Sequence, residues 1–314
     1  MPSKKGLPRS CAQGRGLLRE LIEQRYSYLF IAPCVILFLV FVFIPVIASF
    51  FLGFTKYNVI NPPQWVGLDN YRQIFFHDPR FWKALRNTGV YVLGVVPIGI
   101  WISLLLAVAI DQKVRFKNFY KAIFFMPVVT SVIALSVIWK WLFAGEKYGL
   151  INYWLMKFGA KPIDWVMSPT WTLPAIMTMS IWAGLGYNMI LILAGLQTIP
   201  KTLYEAAEID GAGDWHKFWN ITLPLLRPTL LFVVIMSAIN SLQVFEQVYV
   251  MTGGTGEGVG GVLDCALSLV AYLYERGFER FDMGYASAIA YVLFGIIFII
   301  TLFNLKVVRS RFEY

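Results

Sequence analysis

The sequence predicts an all-α protein that lives in a membrane, built from six transmembrane helices with a short helical loop outside the lipid. Three observations carry that prediction. Of 314 residues, 58% are hydrophobic and only 14% are charged, whereas soluble domains hold about half and about a quarter. The apolar residues fall into six long runs, each close to the roughly 20 residues a helix needs to cross a hydrocarbon core of about 30 Å. Cations cluster in alternate connections between those runs, the charge asymmetry that orients membrane proteins.

The runs are Ser27–Gly53, Thr88–Ile110, Ala122–Phe143, Thr172–Leu196, Leu225–Val250 and Gly284–Val307. The first follows a basic stretch, as a secretory signal would. Its apolar length is about twice that of a signal h-region, so it reads as a retained helix. One membrane domain then covers 27–307, between tails at 1–26 and 308–314. Lys4, Lys5, Arg9, Arg15, Arg19 and Arg25 precede the first run, and Lys113, Arg115, Lys117 and Lys121 follow the second. Lys306, Arg309 and Arg311 close the chain. Six spans put all of these on one side with the Lys201–Arg227 connection, and that side is expected to be the cytoplasm. The first outer loop carries Lys56, Arg72, Arg80, Lys83 and Arg86 against Asp69 and Asp78, but at lower charge density than 111–121. Within it, Asn61–His77, with Trp65 and Tyr71, is expected to lie over the outer membrane surface. Gly149–Trp171 and Thr252–Met283 are the other outer connections.

A formal charge of +9 would point a soluble protein toward nucleic acid. Here the cations flank apolar runs, and orientation explains them without a nucleic-acid partner. Cys11, Cys34 and Cys265 are too scattered for a disulfide framework or a zinc site, and His77 and His216 alone make no metal centre. No catalytic residues and no metal ligands are assigned, since acidic and histidine side chains do not pair near the span ends. A nucleotide-cradling Gly-x-x-x-x-Gly-Lys-[Ser/Thr] string is absent. Gly256-Glu257-Gly258-Val259-Gly260-Gly261 fits the loose dinucleotide pattern, but no strand and helix bracket it, so it reads as a connection. Ion-coupled carriers place ionisable groups inside the membrane. These spans hold almost none: Lys140, between Trp139 and Trp141, is expected to snorkel to the interface, and Glu246 lies toward an outer span end. Energy should therefore reach the protein from outside the bilayer.

The connection between the fourth and fifth runs, residues 200–224, is too patterned for a plain turn. Lys201–Asp210 holds good helix formers and meets Gly211, a residue typical of the position after a helix. Asp214 is placed to cap a second short helix at Trp215–Asn220, and Pro224 to stop it. Leu203, Tyr204 and Ile209 offer apolar anchors at helical spacing, beside small Ala206 and Ala207 and acidic Glu205, Glu208 and Asp210. Amphipathic helices that rest on lipid carry mainly basic polar faces. An acidic one fits a protein groove better.

Glu205-Ala206-Ala207, then Gly211, then Ile221, Leu223 and Pro224 at the right spacing resemble the EAA signature of permease subunits of binding-protein-dependent ABC importers. The surrounding sequence is similar to the carbohydrate group, the maltose-type and glycerol-3-phosphate-type transporters. The family's usual Gly-Gly-Pro after the fifth span is Gly253-Gly254-Thr255 here. The resemblance implies a coupling helix at about Thr202–Ala212, seated in a cleft of a separate ATP-binding subunit. Its most sensitive positions would be Glu205 and Gly211. It further implies a bacterial inner-membrane location, a second permease subunit (a different chain, as is usual in sugar-type relatives, or else a copy of this one), two ATP-binding subunits and an extracytoplasmic solute-binding protein. ATP and Mg would be bound by the partners, with no cofactor on this chain. The solute implied is a sugar or polyol; a glycerol-3-phosphate or glycerophosphodiester importer is the alternative, and an ATP-independent carrier a more distant one.

Ser237, Asn240, Gln243 and Gln247 follow helical spacing in the fifth run. Such a stripe should face the bundle interior, either lining a cavity or joining helices by hydrogen bonds. By resemblance to the maltose-type transporters, Tyr187, Asn240 and Gln243 fall at sugar-contacting positions, with Trp182, Asn188 and Glu246 as further candidates.

Overall fold

The structure, a computed structural model, describes residues 25–112, 115–145, 148–253 and 258–309. Lys4, Lys5, Arg9, Cys11, Arg15, Arg19, Lys113, Arg311 and positions 254–257 of the glycine-rich run lie outside the described residues. The chain divides into two units, Met1–Phe51 and Leu52–Tyr314. The described part of the first is a single long apolar helix, α1 (Tyr26–Leu52), which passes through a π-turn at Leu39–Phe43 and extends to the start of the second unit.

The second unit opens with a two-residue antiparallel pair, β1 (Thr55–Lys56) and β2 (Gln64–Trp65), the only strands among the described residues. α2 (Asp69–Phe76) follows, and Asn70 ties it back to this turn by donating to Gly53 O and Thr55 O. α3 (Pro79–Asp111) starts earlier than its apolar run, because Asp78 is a true N-cap: its carboxylate accepts from the N–H groups of Arg80 and Phe81, with Pro79 in the first turn. α7 (Thr172–Leu196) has the expected bounds, and α12 (Met283–Arg309) nearly so.

The third expected span is not one helix. α4 (Lys117–Val129) and α5 (Val132–Leu142) are bent by 98° at Thr130–Ser131. Pro127 supplies no N–H to the last turn of α4, and Thr130 and Ser131 then take extended ψ values of 142° and 131°. Among the described residues five helices are long and apolar enough to cross a membrane, or six if this bent pair is taken as one span.

After α5, Asn152 at the start of α6 (Leu150–Lys157) is fully buried and organises the connection to α7. Its amide donates to Ala144 O and Ile163 O and accepts from Ile163 N–H and the Trp165 indole, which satisfies all four of its hydrogen-bonding positions. The fifth span also departs from expectation. α8 (Lys201–Ile209) is followed by α9, continuous from Asp214 to Leu242, and the chain breaks at Gln243–Phe245 before α10 (Glu246–Thr252). No Gly or Pro marks that break. The freed Val244 carbonyl is instead taken by the Ser268 hydroxyl at 2.7 Å, just ahead of α11 (Leu269–Tyr274).

Two buried clusters set the helix directions. One joins residues 81–91 of α3 with 173–179 of α7 and Leu242; the other joins 96–110 of α3 with 189–196 of α7, Leu226 and Val233. α3 and α7 therefore run parallel and α9 antiparallel to both. Gly186 lets α7 approach α4 closely, since a Cβ there would lie 2.0 Å from Phe124 O. Only 33% of the apolar window of α3 is buried, 39% of α7 and 22% of α9 and α12. Most of the apolar surface of each span is thus turned outward, as lipid or a membrane partner requires.

Candidate functional site

Residues 200–224 form an angled foot on the bundle. α8 ends in a Schellman motif: Gly211 adopts φ +78°, Ala212 N–H bonds to Ala207 O at 2.8 Å and Gly211 N–H to Glu208 O at 3.0 Å. Glu205, Ala206 and Gly211 are exposed, while Ala207, Ile221, Leu223 and Pro224 are half-buried. Two expectations change here. Asp214 is not the cap; Gly213 holds that position, and the Asp214 carboxylate pairs with Lys217 at 3.1 Å. Pro224 does not stop the helix. A π-turn at Phe218–Thr222 precedes it, in which the N–H of Leu223 reaches back to Phe218 O, and Pro224 then sits in the first turn of the α-helical stretch. A proline there removes a donor the following helix does not need.

The apolar anchors also separate. Leu203 and Ile209 are 42% and 88% exposed, but Tyr204 turns inward, packs on the lower buried cluster and meets the Thr222 hydroxyl at 2.9 Å. Lys217 Nζ bridges to Glu208 at 2.8 Å across the bend. The foot thus presents an acidic, small-residue and apolar surface outward, backed by contacts to the base of α9.

Within the bundle, α3, α4, α5, α7, α9 and α10 border an open cavity of about 280 Å³. Its polar lining comes from Tyr91, Thr130, Ser180, Tyr187, Asn188, Ser237, Asn240, Ser241 and Gln247, with Val95, Val96, Pro127 and Leu135 among its apolar wall. Among the described residues no charged side chain lines it. Ser237 approaches Asn188 at 3.4 Å across α7 and α9. Of the residues singled out in the sequence, Tyr187, Asn188 and Asn240 are brought together here. Gln243, Trp182 and Glu246 are not: Gln243 lies in the break after α9, Trp182 packs on Trp139 with ring centres 5.6 Å apart, and Glu246 opens α10 on its exposed side. The break also explains why the Ser237–Gln247 stripe is not one continuous face. Tyr91, Thr130, Ser180 and Ser241 were missed. Serines and threonines in an apolar run give a weak signal, because they also satisfy themselves on the preceding turn, as Ser180 does on Ile176 O.

Lys140, at the end of α5, reaches across to α10. Its ammonium donates to Val250 O at 3.2 Å and to Gly253 O, closing the C-terminal end of α10.

A polar network surrounds the start of α3. Arg80 forks onto Asp264 and also contacts Glu275, and Glu275 accepts from Arg280 at 2.6 Å. Asp78 Oδ2 accepts from the hydroxyls of Tyr272 and Tyr285, both at 2.5 Å, while Arg276 donates to the Tyr272 oxygen at 2.9 Å. Burial pushes the Asp78 carboxyl up. The hydrogen bonds from Tyr272, Tyr285 and the Phe81 N–H, with the charge of Arg276, outweigh it and hold the pKa below the ordinary value.

The described residues thus join an angled foot to a helix bundle that borders a cavity lined by hydroxyls and amides. Residues 96–311 match the family described as binding-protein-dependent transport system inner membrane component, and the chain belongs to that family. It is therefore a permease subunit of an ABC importer, crossing the inner membrane several times. The chain is 37% identical over 282 residues to the probable ABC transporter permease protein YesP of Bacillus subtilis, covering 89% of each chain. It is 37% identical to the arabinooligosaccharides transport system permease protein AraP of the same organism, over 90% of this chain and 88% of that one. Against the lactose transport system permease protein LacF of Rhizobium radiobacter the identity is 34%, over 93% of this chain and 98% of that one. A chain in the crystal structure of a bacterial ABC transporter involved in import of the acidic polysaccharide alginate matches with a TM-score of 0.83 at 23% identity, covering 95% of this chain and 99% of that one. That likeness speaks for the fold.

Proposed function

We propose that this chain forms one half of the path by which an inner-membrane importer takes up a neutral sugar or related polyol, and that ATP is hydrolysed on separate subunits. The observation that carries the reading is the cavity lining: hydroxyls, amides and the Tyr187 ring, with no charged side chain among the described residues. Hydroxyl groups of a solute need hydrogen-bond partners, and an aromatic face suits the apolar side of a sugar ring. A phosphorylated polyol would call for Arg or Lys in such a lining, which favours the neutral solute over a glycerol phosphate. The naming of relatives for lactose and arabinooligosaccharides supports the same class.

The foot at 200–224 is the docking element in this reading. Glu205, Ala206, Ala207 and Gly211 form the surface that an ATP-binding subunit holds, and Ile221, Leu223 and Pro224 join that surface to α9. Closure of two such subunits would rock the spans and open the cavity to alternate sides. The termini and residues 200–224 are then cytoplasmic, the polar network at Asp78 and Arg80 faces the solute-binding protein's side, and a second, different permease completes the path. ATP and Mg stay on the partners.

Uptake by the assembled complex in proteoliposomes tests the solute path. Asn240→Ala is expected to lower apparent solute affinity about tenfold, and Gln243→Ala to change it less than twofold. Equal affinities for unmodified protein and Asn240→Ala would remove the cavity from the path.

A further inference from the structure

α8 has nine residues and no side-chain cap at its start. Helices this short are marginal alone, so whatever fixes its angle to α9 must be a tertiary contact. One candidate, the Lys217–Glu208 ion pair, involves a Glu208 side chain that is 64% exposed, and such pairs hold geometry weakly. The other is the Tyr204–Thr222 contact at 2.9 Å. Thr222 is 6% exposed, and the Tyr204 ring packs with Phe218 and Leu223 against the lower apolar cluster. A hydrogen bond sheltered in that way is stronger and more directional than one in water.

The place of Thr222 in the chain matters as much as its burial. It is the last residue of the π-turn, the one stretch of α9 where the helical register is displaced. Its hydroxyl also reaches Lys217 O at 3.4 Å. With that proton directed to Lys217, the Tyr204 hydroxyl is the donor to Thr222 Oγ1. The docking helix is therefore bonded to the turn from which α9 rises to Ser237, Asn240 and the cavity. A continuous helix, with Pro228 inside it, joins the two points, so a displacement at the turn can be carried to the cavity.

We propose that Tyr204 and Thr222 are positioning residues for transport, a hydrogen-bonded pair that transmits motion of α8 to α9. The proposal rests on the docking role given to 200–224. Loss of either hydroxyl lets α8 move without carrying α9, so ATP is spent without solute crossing.

The test uses the complete complex in proteoliposomes, reading solute moved per ATP hydrolysed for Tyr204→Phe, Thr222→Val, Thr222→Ser and the Tyr204→Phe/Thr222→Val double variant. Both hydroxyl deletions should lower the ratio at least threefold, Thr222→Ser should keep it within a factor of 1.5 or so, and the double variant should match the worse single one. An unchanged ratio in Tyr204→Phe, a serine variant as poor as valine, or losses that multiply in the double variant would overturn the pairing. If Thr222→Val does not assemble, Tyr204→Phe and Thr222→Ser decide the matter. Co-purification and cross-linking of the ATP-binding subunit to α8 in the unmodified complex are read in parallel. Absence of that contact defeats the docking role itself, whereas contact with an unchanged Tyr204→Phe ratio defeats only the pairing.

Discussion

The Arg80 guanidinium forks onto the Asp264 carboxylate at 2.8 and 2.9 Å, joining the first turn of α3 to a residue 184 positions further along the chain. The same side chain holds Glu275, which is 6% exposed and has Arg280 as its other cation. Asp264 itself has a φ of +54°, a left-handed backbone that a non-glycine residue keeps only when its surroundings fix it.

Arg80→Ala should therefore loosen the whole 258–282 segment. It strands the Asp264 carboxylate and leaves the buried Glu275 with Arg280 as its remaining cation, at a cost of roughly 2–3 kcal/mol; the usual figure for breaking a buried pair is somewhat higher, but the Arg80 side chain is 31% exposed. A lysine cannot fork onto both carboxylates and should recover less than half of the loss. Thermal unfolding in detergent measures both variants, and an unshifted Tm for Arg80→Ala would contradict the bracing role.

Asp78 sets the acid limit of the same region. Its native pKa lies below the ordinary value of 3.8, so its stabilising contribution is complete above that value and is lost as pH falls through the lower, native one. At the alkaline end, burial and the neighbouring Asp78 push Tyr272 up to about 12. The native state therefore holds a proton that the unfolded chain gives up from about pH 10, and stability falls as pH rises from there toward 12. Melting temperature as a function of pH should show both losses, and Asp78→Asn should flatten the acid one. An acid slope identical in Asp78→Asn would assign it elsewhere.

Gly211 is held at φ +78° with open space around it, so a new side chain there meets backbone strain rather than a clash. Gly211→Val should cost about 1–2 kcal/mol locally, enough to shift the Schellman turn and the face α8 presents. Transport is expected to fall at least tenfold. Gly211→Asn, which tolerates the left-handed region, should retain at least a third of it. Comparable loss in both variants would mean that backbone conformation is not what the position supplies.

Much of this architecture is legible in the sequence because lipid imposes a simple rule: a span must be long and apolar. Thr172–Leu196 is delimited correctly on that ground alone, and Gly211 announces the end of α8 by its own conformational freedom. Breaks set by tertiary contact are hidden. Nothing in Gln243–Phe245 predicts a helix end, since the carbonyl that is freed finds its partner at Ser268, 24 residues away. The bend at Thr130 leaves only Pro127 as a trace, and a proline inside a membrane helix is compatible with an uninterrupted span. Pro224 misleads in the opposite sense, because the π-turn before it lets the helix run on. The cavity is half legible: Tyr187 and Asn240 stand out as polar groups in apolar runs, whereas Tyr91 and Ser180 join them only through the packing of α3 against α7.

Ile209, 88% exposed at the end of α8, is the side chain best placed to report what holds the foot. A photo-cross-linking amino acid at this position, in the complete importer in native membranes, asks the question directly. The expected product joins this chain to an ATP-binding subunit, and its yield changes when nucleotide is bound. Cross-linking to lipid alone, or labelling of position 209 by a membrane-impermeant reagent added outside intact cells, would contradict the placement of residues 200–224 against an ATP-driven partner.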